Sequence, residues 1–320
     1  MSGPPPATAA VRSAVRRCLA DLPADALVLA AVSGGPDSLA LAGALAFERP
    51  ERSGAVLVDH ALQAESSAVA DRAAQRCLAM GLDPVEVLPV EVGETAGGGP
   101  EARARDARYA ALSQAAERLE AAAVLLGHTL DDQAETLLLG LGRGSGARSL
   151  SGMAPVRGIF RRPLLEIDRT TTRAACADAG LSAWDDPHNS DPSYARVRVR
   201  REVLPVLSDA LGRGIVPALA RTARLLREDA DALDALTPVL PAEPSVAGLE
   251  SLVPALRARA LKRWAAERCE GAVTSAHVDA LRALIEDWHG QGAVSLPGGV
   301  PVTRTDGRLT TTSPPQGCSG

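Results

Sequence analysis

The feature that most limits how this chain can fold is an aliphatic run, residues 26–32, that ends in a glycine-rich turn and is followed by a helical stretch. Similar aliphatic runs alternate with Ala-rich helical stretches through the first part of the chain, which predicts strands at 26–33, 55–60, 85–90 and 124–128. Helices are predicted between them. Because parallel strands need crossover connections of this length, the pattern indicates an α/β fold, with a doubly wound parallel sheet covered by helices on both faces.

A change of pattern after residue 212 predicts a second, smaller domain. Apolar residues then recur at helical spacing, and prolines interrupt the chain before a further helix over 252–268. The sequence next contains a short strand and a hairpin that turns at Asp306-Gly307. We therefore expect a catalytic domain over 1–212 and a mainly helical C-terminal domain over 213–320.

The composition excludes several classes of protein. The five cysteines are widely spaced and form no CxxC pair, which argues against a disulfide scaffold, a structural zinc site and a cysteine-bound iron–sulfur cluster. No apolar run approaches the roughly 18 residues that a membrane-spanning helix requires, and the first residues do not resemble a secretory signal. The sequence therefore predicts a cytoplasmic protein that does not enter a membrane.

The net charge of −5 is unevenly distributed along the chain. Residues 1–142 hold 11 basic and 19 acidic side chains, residues 143–227 hold 15 arginines and 8 acidic side chains, and residues 228–320 hold 8 basic and 12 acidic ones. A basic stretch in an acidic chain is typical of a surface that binds a polyanion. Arginines on solvated helix faces would give the same count.

The strongest chemical signal is the turn itself, which reads Ser33-Gly34-Gly35-Pro36-Asp37-Ser38. Its glycines let the backbone curl into a nest of N–H groups at the positive end of a helix, and its serines add donors, so the turn can hold a diphosphate. Asp37 would repel a bare phosphate but would suit a Mg²⁺ that bridges phosphate oxygens. A Gly-Gly turn capped by Asp37 is the simpler alternative. Neither GxxxxGK[ST] nor GxGxxG occurs here, which argues against a P-loop phosphotransferase and a dinucleotide-binding dehydrogenase.

This turn resembles the PP-loop of the ATP pyrophosphatases, which split ATP into AMP and diphosphate to adenylate an oxygen. Further segments, in the family's order over about residues 26–201, resemble the short form of the tRNA(Ile)-lysidine synthetase family. They are Val58-Asp59-His60-Ala61-Leu62, Glu101-Ala102 with Ala104-Arg105 and Arg108-Tyr109, Gly127-His128-Thr129-Leu130-Asp131-Asp132-Gln133-Ala134-Glu135-Thr136, Arg143-Gly144-Ser145-Gly146 with Ser151-Gly152-Met153, Arg162-Pro163-Leu164-Leu165, and Asp186 with Asn189, Asp191, Tyr194 and Arg196.

The resemblance implies a reaction in two steps on the wobble cytidine of a tRNA(Ile) with a CAU anticodon. ATP first adenylates the C2 oxygen and releases diphosphate, and the amine of free L-lysine then displaces AMP. The product, lysidine, changes the tRNA from methionine to isoleucine identity. The resemblance also implies Mg²⁺ as a cofactor, a C-terminal domain that assists tRNA binding, and a homodimer.

Residue type and position, together with this resemblance, assign candidate roles to residues. Asp37 is expected to hold the metal, and Asp37, Asp131, Asp132 and Arg196 form the expected catalytic set. The expected nucleotide-binding set is Ser33, Gly34, Gly35, Pro36, Asp37, Ser38, Asp59, His60, Arg105, Gly127, His128 and Arg143.

Each role has a simpler structural alternative. Asp131 and Asp132 could cap a helix, and His60 and His128 could pack as core imidazoles. Arg105 could belong with Arg108 to an exposed, ion-paired helix face.

The chain departs from the family's pattern at one notable position, because Arg196 is followed by Val197 where the family usually has Asn. Two other functions stay open. A PP-loop tRNA thiolase would use the same adenylation but would need CxxC pairs or a persulfide-carrying cysteine. A non-catalytic module that binds tRNA or a nucleotide is disfavoured by the intact Asp37, Asp131 and Asp132.

Overall fold

A computed structural model describes residues 3–59, 66–90, 100–184 and 190–311. The contacts between residues divide the chain into two compact units, Met1–Arg227 and Glu228–Gly320. The division falls within one long helix, later in the chain than the boundary after residue 212 that the sequence predicts. The first half of this helix belongs to the first unit because Arg227 donates hydrogen bonds to the carbonyls of Ser151 and Gly152, at 2.9 and 2.6 Å.

The elements of the first unit alternate between strands and helices. In chain order they are α1 (Pro6–Cys18), β1 (Val28–Val32), α2 (Pro36–Glu48), β2 (Ser53–Asp59), α3 (Ser66–Ala79), β3 (Val85–Pro89), α4 (Pro100–Arg118), β4 (Ala123–Leu126), α5 (Leu130–Gly142), α6 (Ala147–Leu150), β5 (Val156–Arg157), β6 (Phe160–Arg161), α7 (Arg169–Asp178), α8 (Ala195–Arg198), a π-helical turn (Val199–Val203), α9 (Leu204–Leu211) and α10 (Ile215–Leu236), whose last residues lie in the second unit.

The sheet confirms the predicted fold class. Its strands lie in the order β3-β2-β1-β4-β6-β5, and every neighbouring pair is parallel except β5 with β6. The four predicted strands are present, within a few residues of their predicted ends. The sequence did not predict β5 and β6, because a strand of two residues has no periodicity to detect.

Apolar side chains cover both faces of the sheet. One core cluster joins the sheet to α1, α2, α3 and α7, and it includes Val15, Leu41 and Cys77, each nearly inaccessible to solvent. A second cluster packs α4 against the other face through Leu112 and Ala116. The central strands β1, β2 and β4 are therefore buried on both sides, which explains why they appear in the sequence as continuous aliphatic runs.

The second unit has a core of its own. Its elements are the end of α10, α11 (Val246–Glu250), α12 (Pro254–Ala266), α13 (Ser275–Glu286), β7 (Val294–Leu296), a 3-10 turn (Pro297–Gly299), β8 (Val300–Thr305) and β9 (Arg308–Thr311). Trp264 is fully buried in this core, and its indole N–H donates to the carbonyls of Pro241 and Ala242 at 3.1 Å each. The predicted hairpin joins β8 to β9, and Asp306 and Gly307 take the positive φ angles, 50° and 73°, that its turn requires.

Among the described residues, no one helix has the length and hydropathy needed to cross a membrane. By length and composition alone, one pair of helices would pass that test together, Ala195–Leu211 with Ile215–Leu236, which are bent by 100° at the break between them.

Candidate active site

A cavity of about 830 Å³ opens at the carboxyl ends of β1, β2 and β4. The chain passes from β1 to β2 on one side and returns to place β4 on the other side of β1, so the strand order reverses at β1. Open α/β sheets bind their ligands at such a reversal, because the loops after the two neighbouring strands diverge and leave a crevice. The predicted PP-loop follows β1 and therefore lies in this crevice.

The PP-loop has the geometry of an anion cradle. Gly34 has a φ of +82°, which other residues rarely adopt, and Pro36 occupies the first turn of α2. The Ser38 hydroxyl donates to the Gly35 carbonyl at 2.9 Å and accepts from the Ser33 backbone N–H at 3.2 Å. These bonds fix the loop at the amino end of α2, where unpaired backbone N–H groups favour a phosphate.

Gly127, directly after β4, is a glycine because the PP-loop lies against it. A Cβ on Gly127 would lie 3.3 Å from the Asp37 carbonyl carbon and from the Ser38 Cα and backbone nitrogen. This contact sets the spacing between the PP-loop and the end of β4, so the two nucleotide-binding segments that the sequence predicts are in direct contact.

Asp37 lies on the cavity wall at the start of α2. Its Oδ1 accepts a hydrogen bond from the Thr172 hydroxyl, and its Oδ2 lies 3.7 Å from the Arg169 Nε. Burial raises the pKa of the Asp37 carboxyl, while the Thr172 hydrogen bond and the Arg169 charge act in the opposite direction.

The donor set around Asp37 fits a Mg²⁺ that arrives with a nucleotide. Mg²⁺ usually takes one or two carboxylates together with substrate phosphates and water. Within the described ranges, no three His, Cys, Asp or Glu side chains are grouped to hold a metal by themselves. One carboxylate beside a phosphate cradle is what a metal shared with ATP requires.

Arg169, at the start of α7, connects the carboxylates of the cavity. Its Nη2 lies 3.0 Å from Asp132 Oδ1 and its Nη1 lies 3.3 Å from Glu135 Oε1. Burial acts to raise the pKa of Asp132, but the Arg169 charge and the Thr129 backbone N–H outweigh it, so the pKa is lowered and the carboxylate stays ionised. Asp132 also completes the capping box of α5, whose N-cap is Thr129, because the Asp132 Oδ2 accepts from the Thr129 N–H at 2.8 Å.

Glu135 is the fully buried centre of the ion-pair network and has no exposed surface. Arg200 binds it through two hydrogen bonds, Nε to Oε1 at 2.7 Å and Nη2 to Oε2 at 3.1 Å. The Arg196 Nε lies 3.8 Å from Oε2. One buried carboxylate thus holds the guanidinium groups of Arg169, Arg196 and Arg200, all of which line the cavity.

His128 follows Gly127 on the cavity wall. Burial lowers its pKa to about 3, and the charges of Arg162, Arg108 and Arg196 add to this effect while Asp132 opposes it. The imidazole is therefore neutral near pH 7. Its Nδ1 is buried and has no hydrogen-bond partner among the described residues.

The structure brings most of the predicted site residues together but not all of them. Those that line the cavity are Ser33, Gly35, Pro36, Asp37, Ser38, Asp59, Gly127, His128, Asp132 and Arg196. Gly34 lies in the same loop, and its carbonyl accepts from the Trp184 N–H at 3.0 Å.

Three predicted residues lie off the cavity wall. Asp131 accepts from the Arg169 backbone N–H at 2.8 Å and so fixes the start of α7. Arg105 is exposed, with its guanidinium 5.5 Å from the centre of the Tyr109 ring, while Arg108 on the same helix lines the cavity. Arg143 is exposed at the end of α5.

Some predicted positions lie outside the described residues. They are His60, Asp186 and Asn189. Val197, at the position where the family usually has Asn, is buried with 6% of its surface exposed, so this chain uses the position for packing.

Sequence reasoning gave no role to several residues that build the site, namely Arg169, Arg200, Glu135 and Thr172. One sequence signal could have indicated these arginines. Asp131, Asp132 and Glu135 lie within two turns of α5, and carboxylates this close to a core are normally paired with cations. The four-residue spacing of Arg196 and Arg200 supplies two of those cations from one helical face.

The sheet order, the phosphate cradle and the cavity define a PP-loop enzyme that uses ATP. A family model of the PP-loop domain matches residues 8–207, and a model of the TilS substrate binding domain matches residues 245–310. The U34-tRNA thiolase NcsA from Methanococcus maripaludis is similar in structure, with a TM-score of 0.55, 20% identity, and coverage of 68% of this chain and 78% of that one, which shows a shared fold.

Two relatives match nearly the whole length. A tRNA(Ile)-lysidine synthase from Thermobifida fusca is 55% identical and covers 97% of this chain and 98% of its own. Another tRNA(Ile)-lysidine synthase, from Streptomyces coelicolor, is 52% identical and covers 96% and 98%. The chain belongs to the tRNA(Ile)-lysidine synthase family, and it is an enzyme of that family.

Proposed function

We propose that this chain joins L-lysine to C2 of the wobble cytidine of a CAU-anticodon tRNA(Ile), at the expense of ATP. The observation that carries the proposal is the cavity, which is lined both by the PP-loop with Asp37 and by Asp132 with the arginines. The family's two domain models and the full-length relatives support it.

The first step is the adenylation of the cytidine. The C2 oxygen attacks the α-phosphorus of ATP, and the bond to diphosphate breaks. The PP-loop backbone and the serine hydroxyls bind the departing phosphates at the amino end of α2. Asp37 would hold a Mg²⁺, which when bound supplies positive charge to the phosphates. Because Thr172 and Arg169 fix the Asp37 side chain, the carboxylate is oriented before the substrates arrive.

The second step is the attack of the lysine amine on C2, which releases AMP. Of the adjacent pair Asp131 and Asp132, only Asp132 lies on the cavity wall, so we assign the binding of the lysine ammonium to Asp132. Its lowered pKa keeps it negatively charged. The ammonium must pass a proton to a solvent base before the neutral amine attacks C2, because the lowered pKa of Asp132 makes that carboxylate a poor proton acceptor.

The alternative function, a tRNA thiolase, has less support. Sulfur transfer needs a reactive cysteine or an iron–sulfur cluster near the adenylated base. Among the described residues, none of the side chains that line the cavity is a cysteine, and burial raises the pKa of Cys77 to about 11 and also raises that of Cys176. A buried thiol with a raised pKa is a poor nucleophile.

The deciding experiment incubates the full chain with Mg-ATP, labelled lysine and either of two transcripts, the CAU-anticodon tRNA(Ile) or the elongator tRNA(Met). We expect lysine to enter only the tRNA(Ile) transcript. AMP and diphosphate without lysine incorporation would contradict the assigned nucleophile.

Two variants locate the first step. Asp37→Asn should abolish AMP and diphosphate release, because the amide loses the charge that a metal needs. Asp21→Asn is the control, since Asp21 is an exposed partner of Arg161, and this variant should keep full activity. Near-normal AMP release by Asp37→Asn would contradict the metal assignment.

We also propose a homodimer, which rests on the family resemblance. Exposed apolar side chains on α9, Val206 and Leu211, offer a surface that a second copy could cover. Light scattering of the full chain should give twice the mass of 33.0 kDa, and a monomer at micromolar concentration would contradict the proposal.

A further inference from the structure

One position on the buried face of α7 holds a polar side chain. Ala175 and Cys176 on this helix belong to the core cluster that joins α7 to α1 and α2. Thr172 precedes them by three and four residues, so the helical repeat places it on the same face, and it is fully buried, with 0% of its surface exposed. An apolar residue would suit this face, whereas a buried hydroxyl costs free energy unless it forms a hydrogen bond. The hydroxyl at this position is therefore explained by the bond that it makes.

The Thr172 hydroxyl has two acceptors within reach and one proton to donate. One acceptor is the Arg169 carbonyl, at 2.9 Å, which lies three residues earlier in the same helix. The other is Oδ1 of Asp37 on α2, 135 residues away in the chain. Threonines inside helices commonly bond a carbonyl of the preceding turn, so the first contact alone would be ordinary. A carboxylate is the stronger acceptor of the two, and we assign the proton to it.

The two oxygens of Asp37 have different surroundings. Oδ1 accepts from Thr172, whereas Oδ2 lies 3.7 Å from the Arg169 Nε, beyond the length of a hydrogen bond. The terminal nitrogens of Arg169 lie closer to Asp132 and Glu135, at 3.0 and 3.3 Å. Within the described residues, Oδ2 of Asp37 accepts no hydrogen bond, so it is the oxygen that remains for a cation entering the cavity.

The start of α7 is fixed independently of Thr172. Asp131 accepts from the Arg169 backbone N–H at 2.8 Å, and Asp168 caps the helix by accepting from the Thr171 N–H at 2.7 Å. The apolar residues of the same helix pack against α1 and α2. A hydroxyl held on this helix can therefore orient a carboxylate on α2 without moving itself.

We propose that Thr172 is a positioning residue, whose hydroxyl holds Oδ1 of Asp37 and so leaves Oδ2 to bind the Mg²⁺ that arrives with ATP. Thr172 does not line the cavity, so it acts through Asp37. A ligand that is already oriented binds a metal more tightly than one that loses rotational freedom on binding. The inference rests on the proposed role of Asp37 as the metal ligand.

The test measures the dissociation constant of ATP on the full chain, once with saturating Mg²⁺ and once with a chelator, in both cases without tRNA and lysine. The gain in ATP affinity on adding Mg²⁺ reports the contribution of the metal and does not depend on turnover. Thr172→Val removes the hydroxyl and keeps the branched shape. We expect the gain to fall about tenfold, the loss of one charge-assisted hydrogen bond. The constant measured with the chelator should stay within about twofold of the wild-type value.

Three further variants separate the hydroxyl from the packing. Thr172→Ser keeps the hydroxyl and should retain most of the gain. Thr237→Val is the matched control, because Thr237 in the second unit is also buried and its hydroxyl donates only to a helix carbonyl, that of Leu233, at 2.6 Å. This control should leave both constants unchanged. Adding Thr172→Val to Asp37→Asn should cause no further loss, because Thr172 acts through that carboxylate.

A normal gain in Thr172→Val would overturn the proposal, and a lowered melting temperature in that case would show that the hydroxyl serves the fold alone. An equal loss in Thr172→Ser, or a further loss in the double variant, would also overturn it. A wild type whose ATP affinity does not respond to Mg²⁺ would overturn the metal assignment together with this inference. If the wild type responds to Mg²⁺ but forms no lysidine, the proposed function fails while these measurements still decide the role of Thr172.

Discussion

The substitution Glu135→Gln tests whether a buried carboxylate holds the arginines of the cavity. Glu135 has no exposed surface and accepts two hydrogen bonds from Arg200, at 2.7 and 3.1 Å. Arg169 lies 3.3 Å from the same carboxylate and Arg196 lies 3.8 Å from it. The amide keeps the shape and one acceptor oxygen but removes the charge, so three guanidinium groups lose their common counter-ion.

The expected magnitude follows from the burial. Removing one partner of a buried ion pair costs about 3–5 kcal/mol, because the remaining charge stays desolvated. Since glutamine keeps one hydrogen-bond acceptor, we take the lower end, about 3 kcal/mol. In a unit of this size each kcal/mol shifts the melting temperature by roughly 2–4 °C. We therefore expect Glu135→Gln to lower the melting temperature by about 6–12 °C.

Glu86→Gln is the matched control, and calorimetry on the full chain is the assay. Arg118 also binds Glu86 through two hydrogen bonds, at 2.8 and 2.6 Å, but Glu86 is 24% exposed and Arg118 is 55% exposed. Solvent screens such a pair, so its loss should shift the melting temperature several-fold less. Equal shifts for the two variants would refute the argument from burial.

Three further predictions concern the cavity and the basic stretch. Gly127→Ala should displace the PP-loop by a few tenths of an ångström and reduce kcat/KM for ATP about tenfold with little change in melting temperature; an unchanged kcat/KM would contradict the close contact. The pKa of His128, about 3, lies below that of an unfolded histidine, so the unfolded state binds more protons between the two values and stability falls as the pH decreases from about 6.5 towards 3. Urea unfolding at pH 7 and pH 5 should show this loss in the wild type and less of it in His128→Asn, and equal losses would argue against a buried neutral imidazole. Binding of tRNA(Ile) through residues 143–227 should weaken steeply between low and moderate salt, because phosphate contacts release counter-ions, and an affinity that does not change with salt would rule this surface out.

The features that the sequence could predict are those whose cause is local. The strands after the first helix are continuous aliphatic runs because both faces of the sheet are covered, and the PP-loop is recognisable because its glycines and hydroxyls are contiguous in the chain. The β5–β6 hairpin has strands of two residues each, too short for any periodic signal. β6 pairs with β4 because of how the whole sheet assembles, and the sequence of this short segment does not encode that pairing.

The ion-pair network depends on contacts that a sequence does not display. Arg169 is near Asp37 only because α7 packs beside α2, and the two residues are 132 positions apart. Arg105 and Arg108 share one side of α4, and they differ by about 4.5 Å along the helix axis. The packing of α4 against the sheet places Arg108 on the cavity wall and leaves Arg105 exposed, whereas the sequence interpretation placed only Arg105 in the nucleotide-binding set.

Glu135 sets the charge balance of the cavity before any ligand binds. Its carboxylate lies 2.7 Å from Arg200, 3.3 Å from Arg169 and 3.8 Å from Arg196, so three guanidinium groups share one buried counter-ion. The three arginines come from α7, α8 and the π-helical turn, so the same carboxylate also fixes the relative positions of these segments. Loss of its charge should therefore both destabilise the free protein and release side chains that line the cavity.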